Sequence, residues 1–213
     1  MHKWLLIFLP SFAFADIGLI SEFRGNGEIL RENSTDKLLA ELALDIFPND
    51  DVRTGNGRIA IKFTDDTEVR LTEHSKLVIT EYIFNPNKLD TGKLSLNFIK
   101  GTGRFISSKN KLIKRENISI RANGAVIGIR GTDFSITSDE LGRTMLVLLP
   151  NPDGTSSGSI TVTTMAGTVV LTEAFEATVV TVAEQMPTKP VVLTGMTLDF
   201  IDNMLIVNPP EET

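Results

Sequence analysis

The side chains that carry most hydrolytic and redox chemistry are scarce in this chain of 213 residues, which has two histidines and no cysteine. His2 lies in the N-terminal head, so any pairing of a nucleophile with a general base would rest on His74, in LTEHSKL. That segment sits between two predicted strands and has none of the context of a nucleophile turn, so it reads as a surface or loop histidine. The same shortage of ligands argues against zinc. The acidic turns NDD (49–51) and TDDTE (64–68) offer oxygen ligands suited to calcium, but carboxylates clustered at a hairpin more often simply form the turn. GNGRIA, Gly55 to Ala60, matches the letters of the dinucleotide fingerprint with Ala in the last position. The fingerprint works where a strand leads into a helix whose N-terminus receives the pyrophosphate, and here the glycines run into RIAIKF, a strand pattern. No Gly-Lys-Ser/Thr occurs, so there is no phosphate loop. These residues predict a non-enzymatic chain with no cofactor and no metal.

Acidic residues outnumber basic ones, 27 against 21, which disfavours a nucleic-acid or anionic-membrane partner. One local exception is KGTGRFISSKNKLIKREN, where Lys100, Arg104, Lys109, Lys111, Lys114 and Arg115 face a single Glu116. It reads first as a solvated strand and loop, and second as a patch facing a partner. The N-terminus has a short basic head, an apolar run from Trp4 to Pro10 and Ala13-Phe14-Ala15 ahead of Asp16. This pattern predicts a secretory signal peptide over residues 1–15 and a mature chain in the periplasm or outside the cell. The apolar run is shorter than the roughly 20 residues that span a bilayer. Without cysteine the fold has no disulfides, and no thiol is available for lipid attachment.

The dominant period in the rest of the chain is two. RIAIKF places Ile59, Ile61 and Phe63 on one face, EVRL places Val69 and Leu71, KLSLNF places Leu94, Leu96 and Phe98, and NISIRA places Ile118, Ile120 and Ala122. Such alternation marks half-buried antiparallel strands, and turn residues separate them at Asp65-Asp66, Asn85-Pro86-Asn87, Asp90-Thr91-Gly92, Asn123-Gly124 and Pro152-Asp153-Gly154. The pattern predicts an all-β fold, an antiparallel β-sandwich or a solenoid-like stack of hairpins with at most one or two short helices. STDKLLAELALDIF (34–47) reads equally as a capped helix or as a strand at its end, and TLDFIDNMLIV (197–207) is similarly ambiguous. The expected organisation is one β domain over residues 16–183 and a C-terminal extension over 184–213 that can pack back on it.

GAVIGIRGTDFSI, Gly124 to Ile136, departs from strict alternation. Asn123-Gly124 is a two-residue hairpin signal, because both positions of such a turn need positive φ. Along the return strand Ile127 and Ile129 share a parity that Phe134 and Ile136 do not. A β-bulge at Gly131 would restore all four to one face, leaving Arg130 beside it to bond loop carbonyls or the Asp65-Asp66 turn.

VIGIRGTDFSI resembles the signature of the FecR domain, an aliphatic-Arg-Gly-Thr-acid-Phe core after a small-residue turn. NDDVRTGNGRIAIKFTDDTEVRLTEHSKLVI and GKLSLNFIKGTGRFIS are similar to the preceding parts of that domain, and the likeness runs from about Gly27 to about Ile136. Ala122-Asn123 stand where the family often has Thr-Pro. Founding members are inner-membrane regulators with a cytoplasmic anti-sigma segment, one transmembrane helix and a periplasmic sensing domain. The resemblance therefore implies the sensing or docking half alone, a non-catalytic module that binds an envelope protein, with Gly128, Arg130, Gly131, Thr132, Asp133 and Phe134 acting through the fold. A glycan-binding module of wall or capsule is the alternative, disfavoured by the lack of aromatics beyond Tyr82 and the phenylalanines, and a structural envelope protein is a third reading.

Overall fold

A computed structural model describes residues 16–197 except 33, 35, 86, 89, 90 and 109–112. The expected signal peptide, Lys109, Lys111, the side chain of Arg115 and most of TLDFIDNMLIV lie outside the described residues.

The described residues form β1 (Gly18–Arg24), β2 (Gly27–Leu30), β3 (Lys37–Leu39), β4 (Asp45–Ile46), β5 (Asp51–Thr54), β6 (Arg58–Phe63), β7 (Glu68–Leu71), β8 (Lys76–Ile83) and β9 (Lys93–Ile106). They continue as β10 (Ile118–Ala122), β11 (Ala125–Arg130), β12 (Asp133–Ser138), β13 (Thr144–Leu148), β14 (Ser159–Thr164), β15 (Gly167–Leu171), β16 (Glu176–Val180) and β17 (Val191–Val192). The fold is all-β, with a 3-10 turn at Arg115–Asn117.

All the strands belong to one mixed sheet, and β9 folds it into two layers. Residues 93–100 of β9 pair with β8 and β10, and residues 101–106 pair with β7 and β12. Layer one runs β4-β1-β6-β7-β9-β12-β13-β16-β17. Layer two runs β3-β2-β5-β8-β9-β10-β11-β14-β15. The β9–β10 pair is parallel, where the alternation predicts antiparallel pairing throughout. The cause is the length of β9: it runs on into layer one, so the chain must cross back before β10 and enters layer two in the direction β9 first took.

The alternation predicts the buried faces correctly. Ile59, Ile61, Phe63, Val69, Leu71, Leu94, Leu96, Phe98, Ile118, Ile120 and Ala122 are all buried, in one core that takes residues from both layers. At about 25 cal/mol per Å² of apolar surface, burial on this scale stands in for the missing disulfides. The described residues of STDKLLAELALDIF form no helix. Its residues make β3, a turn at Leu42-Ala43 and β4, with Leu39 and Leu42 exposed and Ile46 buried. β4 gains an edge pairing on β1, which the isolated segment's helical propensity does not match.

The chain passes between layers at stacked corners. On one side Gly55 N–H donates to the Asn26 carbonyl at 3.1 Å, His74 N–H to Gly55 at 2.9 Å and Thr72 N–H to Thr102 at 2.9 Å. Gly101 adopts φ +94°, and a Cβ there would meet the backbone of Ser75. The part of the C-terminal extension that is described returns to layer one: β17 pairs with β16, and Leu193 and Met196 pack on Val147, Leu149 and Ala177.

Phe63 of layer one stacks on Tyr82 of layer two with ring centroids 5.4 Å apart. The Tyr82 hydroxyl donates to Asp65 Oδ1 at 3.2 Å, accepts the Asp65 N–H at 3.1 Å and meets Thr64 Oγ1 at 2.8 Å. Tyr82→Phe keeps the ring and leaves these groups short of a partner, so a loss of about 1–3 kcal/mol is expected in denaturant unfolding. Burial raises the Tyr82 phenol above its ordinary range. Its contribution is therefore complete below about pH 10 and is lost as pH rises further, so the gap between wild type and variant should narrow there.

Candidate functional site

The Arg-Gly-Thr-Asp-Phe segment forms the corner at which the chain leaves layer two for layer one. β11 pairs with β10 and β14, whereas β12 pairs with β9 and β13. The change of parity is thus a change of layer and not a bulge within one strand, although Ile127, Ile129, Phe134 and Ile136 are all buried as a bulge would require. Both devices return the apolar residues to the core. The layer change needs partner strands from both halves of the chain, which a local pattern does not reveal. The hairpin before it has the expected geometry, with Asn123 at φ +41° and Gly124 at φ +89° between the paired Ala122 and Ala125.

Gly131 turns the corner at φ +60°. Thr132 N–H donates to Ser107 Oγ at 2.9 Å, Ser107 N–H to the Thr132 carbonyl at 2.9 Å and Asp133 N–H to Ser157 Oγ at 3.0 Å. Gly158 lies against the corner so closely that a Cβ would stand 1.9 Å from the Gly131 carbonyl oxygen. Phe134 is fully buried, its ring 5.5 Å from that of Phe105. Thr132 is buried, and its hydroxyl has no hydrogen-bond partner among the described residues.

The two arginines of the family-like segments have roles the sequence does not disclose. The Arg130 side chain is exposed and makes no hydrogen bond or ion pair with the described residues. Asp65, which the sequence offers as its acceptor, bonds Tyr82 and Thr67, and Asp66 pairs with Lys62 at 3.1 Å. Arg104 holds the corner instead: Nε donates to Asp133 Oδ1 at 2.8 Å and Nη2 to Oδ2 at 2.6 Å. Both side chains are largely buried, 12% and 17% exposed, so Arg104 stands apart from the basic face. No sequence signal singles out this pair, because it depends on β9 and β12 lying side by side. Of the remaining basic residues, Lys100 lies on β9 with Nζ 3.9 Å from Glu140, and Lys114 is exposed after the 109–112 segment. Gly128 is mid-strand with nothing nearer than 3.9 Å to a Cβ, so packing does not demand glycine there.

Other residues with possible chemistry are engaged structurally. His74 is exposed in the corner stack at φ +55°, and the neighbouring Ser75 hydroxyl bonds Thr102. Gly55-Asn56-Gly57 leads into β6 and not into a helix. Asp51 is bound by Arg53 at 2.7 Å and by Lys76 at 3.2 Å. No group of three or more His, Cys, Asp or Glu capable of holding a metal occurs among the described residues.

The sheet ends offer a different kind of site. β3, β4 and β17 are edges of two or three residues, which limits pairing with another chain. β15 is longer, pairs only with β14 among the described residues, and presents Thr168 and Val170 outward. Val170 on β15 and Val126 on β11 are about half exposed, with β14 between them, and Met165 in the β14–β15 turn is 81% exposed.

A match to the family described as FecR protein covers residues 50–170. The chain belongs to the FecR family. The match extends the sequence-level likeness past Ile136 through β13 and β14 to the edge strand, and begins later, just ahead of β5. β1, β2 and β16 lie outside it yet pair with β6, β5 and β13 of the FecR region and share its core. The FecR family is a regulatory and signalling one, associated with sensing in the periplasm. No helix among the described residues is long and apolar enough to cross a membrane. No curated protein matches the chain.

Proposed function

We propose that this FecR chain is a non-catalytic sensing or docking module, exported to the periplasm, that binds an envelope protein by strand addition at β15. The observation that carries the reading is that edge: five residues of alternating strand, unpaired on one side among the described residues, with Thr168 and Val170 exposed on it. Strand addition draws affinity from main-chain hydrogen bonds and specificity from alternate side chains, and needs no catalytic group. The family's association with periplasmic sensing supports the compartment, together with the signal-peptide pattern of residues 1–15. A glycan platform has less support, since the sole tyrosine is 9% exposed and stacked in the core.

A photo-crosslinker placed at Thr168 or Val170 is expected to capture one discrete envelope protein, whereas the same probe at Leu39 on β3 captures none. Val170→Lys should abolish that adduct while shifting stability by no more than about 0.5 kcal/mol, as for an ordinary surface change. Retention on isolated wall polymer with no protein adduct from β15 would overturn the docking reading in favour of a glycan.

A further inference from the structure

The outer face of layer two carries a row of charge that strand addition at β15 does not use. Across the strands in register, Leu39 of β3 lies opposite Glu28 of β2, Glu28 opposite Arg53 of β5, Arg53 opposite Lys76 of β8, and Lys76 opposite Lys100 of β9. The last three are cations on adjacent strands spaced about 4.8 Å apart. Like charges placed directly opposite on a sheet repel, so the row opposes folding unless something offsets it.

Lys100 reaches this row through a local irregularity. Leu94, Leu96 and Phe98 point into the core, and strict alternation would send Lys100 after them. A register shift between the Lys76–Lys100 and Leu77–Phe98 pairs leaves Ile99 as the extra residue and turns Lys100 outward beside Lys76. The row also lines a cleft of about 530 Å³, walled by Asn26 and His74 of the corner stack and by Leu39 on the far side. That volume is ordinary for a small-molecule site.

The protein's own acids cover the row incompletely. Asp51 serves both Arg53 and Lys76, at 2.7 and 3.2 Å. Burial acts to raise its carboxyl, but the hydrogen bonds from Arg53 and Lys76 outweigh it and hold the group below the ordinary range, so one full negative charge is shared by two cations. Glu28 is 3.0 Å from Lys37 and 3.8 Å from Arg53. Among the described residues Lys100 pairs only with Glu140, 3.9 Å away and 88% exposed. In a chain of net charge −6 this concentration of positive charge in a concavity is a local exception.

We propose that the cleft binds an oligoanion, a small ligand presenting two or more phosphate or carboxylate groups about 5 Å apart across Arg53, Lys76 and Lys100. The ligand adds to the counter-charge that Asp51, Glu28 and the exposed Glu140 supply in part. The inference stands apart from the docking edge, and either can fail without the other.

The test is calorimetric titration of the full chain at low salt with inorganic tripolyphosphate and, separately, with propane-1,2,3-tricarboxylate, which distinguishes a phosphate from a carboxylate ligand. Saturable one-site binding of at least one probe is expected, weakened at least about tenfold in Lys76→Ser/Lys100→Ser. Lys62→Ser/Lys114→Ser makes the same change in net charge on exposed residues and should leave affinity within about twofold. Absence of saturable binding by both probes, or equal losses in the two variants, would overturn the proposal.

Discussion

Gly158→Ala lowers the stability of the domain by about 3 kcal/mol, or roughly 10 °C in melting temperature, from overpacking and backbone strain together. The added Cβ would stand 1.9 Å from the Gly131 carbonyl oxygen and 2.3 Å from that of Arg130, at φ +154°. Both clashing atoms are backbone, so no side chain can swing away. They also belong to the corner that carries the chain from layer two to layer one, where Ser157 binds Asp133. Gly154, four residues earlier, is the control: it too has positive φ, +82°, yet nothing lies within 4 Å of its Cβ position. Gly154→Ala therefore carries only the cost of the left-handed conformation, about 1 kcal/mol. Thermal melting of the two variants side by side decides the matter, since equal shifts would show that the Gly131–Gly158 approach does not support the fold. Gly131→Val should likewise destabilise, through a β-branched residue at φ +60°.

Asp133→Ala comes next, with an expected loss of about 2–4 kcal/mol, somewhat under the figure for a fully buried pair because both partners keep some solvent contact. Its removal leaves the Arg104 guanidinium, only 12% exposed, without the bidentate acceptor at 2.6 and 2.8 Å. Arg104→Ala removes the same contacts from the other side. The double variant should then cost less than the sum of the two singles, with a coupling of about 1–3 kcal/mol in urea unfolding. Additive losses would mean that each residue acts through other neighbours and that the pair does not clamp β9 to β12.

Side-chain alternation is a local property, and it was legible wherever a strand has one buried face. Ile59, Ile61 and Phe63, or Leu94, Leu96 and Phe98, announce a core face without reference to the rest of the chain. The Asn123-Gly124 hairpin was equally legible, because its turn geometry depends on two residues alone. STDKLLAELALDIF was not, since its helical and extended readings differ little in intrinsic preference and the pairing of β4 with β1 settles the choice.

At the corner, residue types and conformation came apart. The parity change around Gly131 required glycine under either a bulge or a change of layer, and the sequence could not separate them because both return Phe134 and Ile136 to the core. Arg104 looked like one member of a basic run and is the partner of Asp133, 29 residues away. Arg53, Lys76 and Lys100 lie far apart along the chain and stand side by side in the sheet.

By itself, then, the sequence determined the all-β class, the buried faces, the hairpin and the likeness to the FecR family, all of which rest on short-range patterns of polarity, turn chemistry and motif order. The tertiary structure alone decided that β9 serves two layers, that Gly131 is a corner, which arginine holds Asp133 and where the cations converge. Those features depend on register between strands tens of residues apart, and register follows from the closing of the whole sheet around one core.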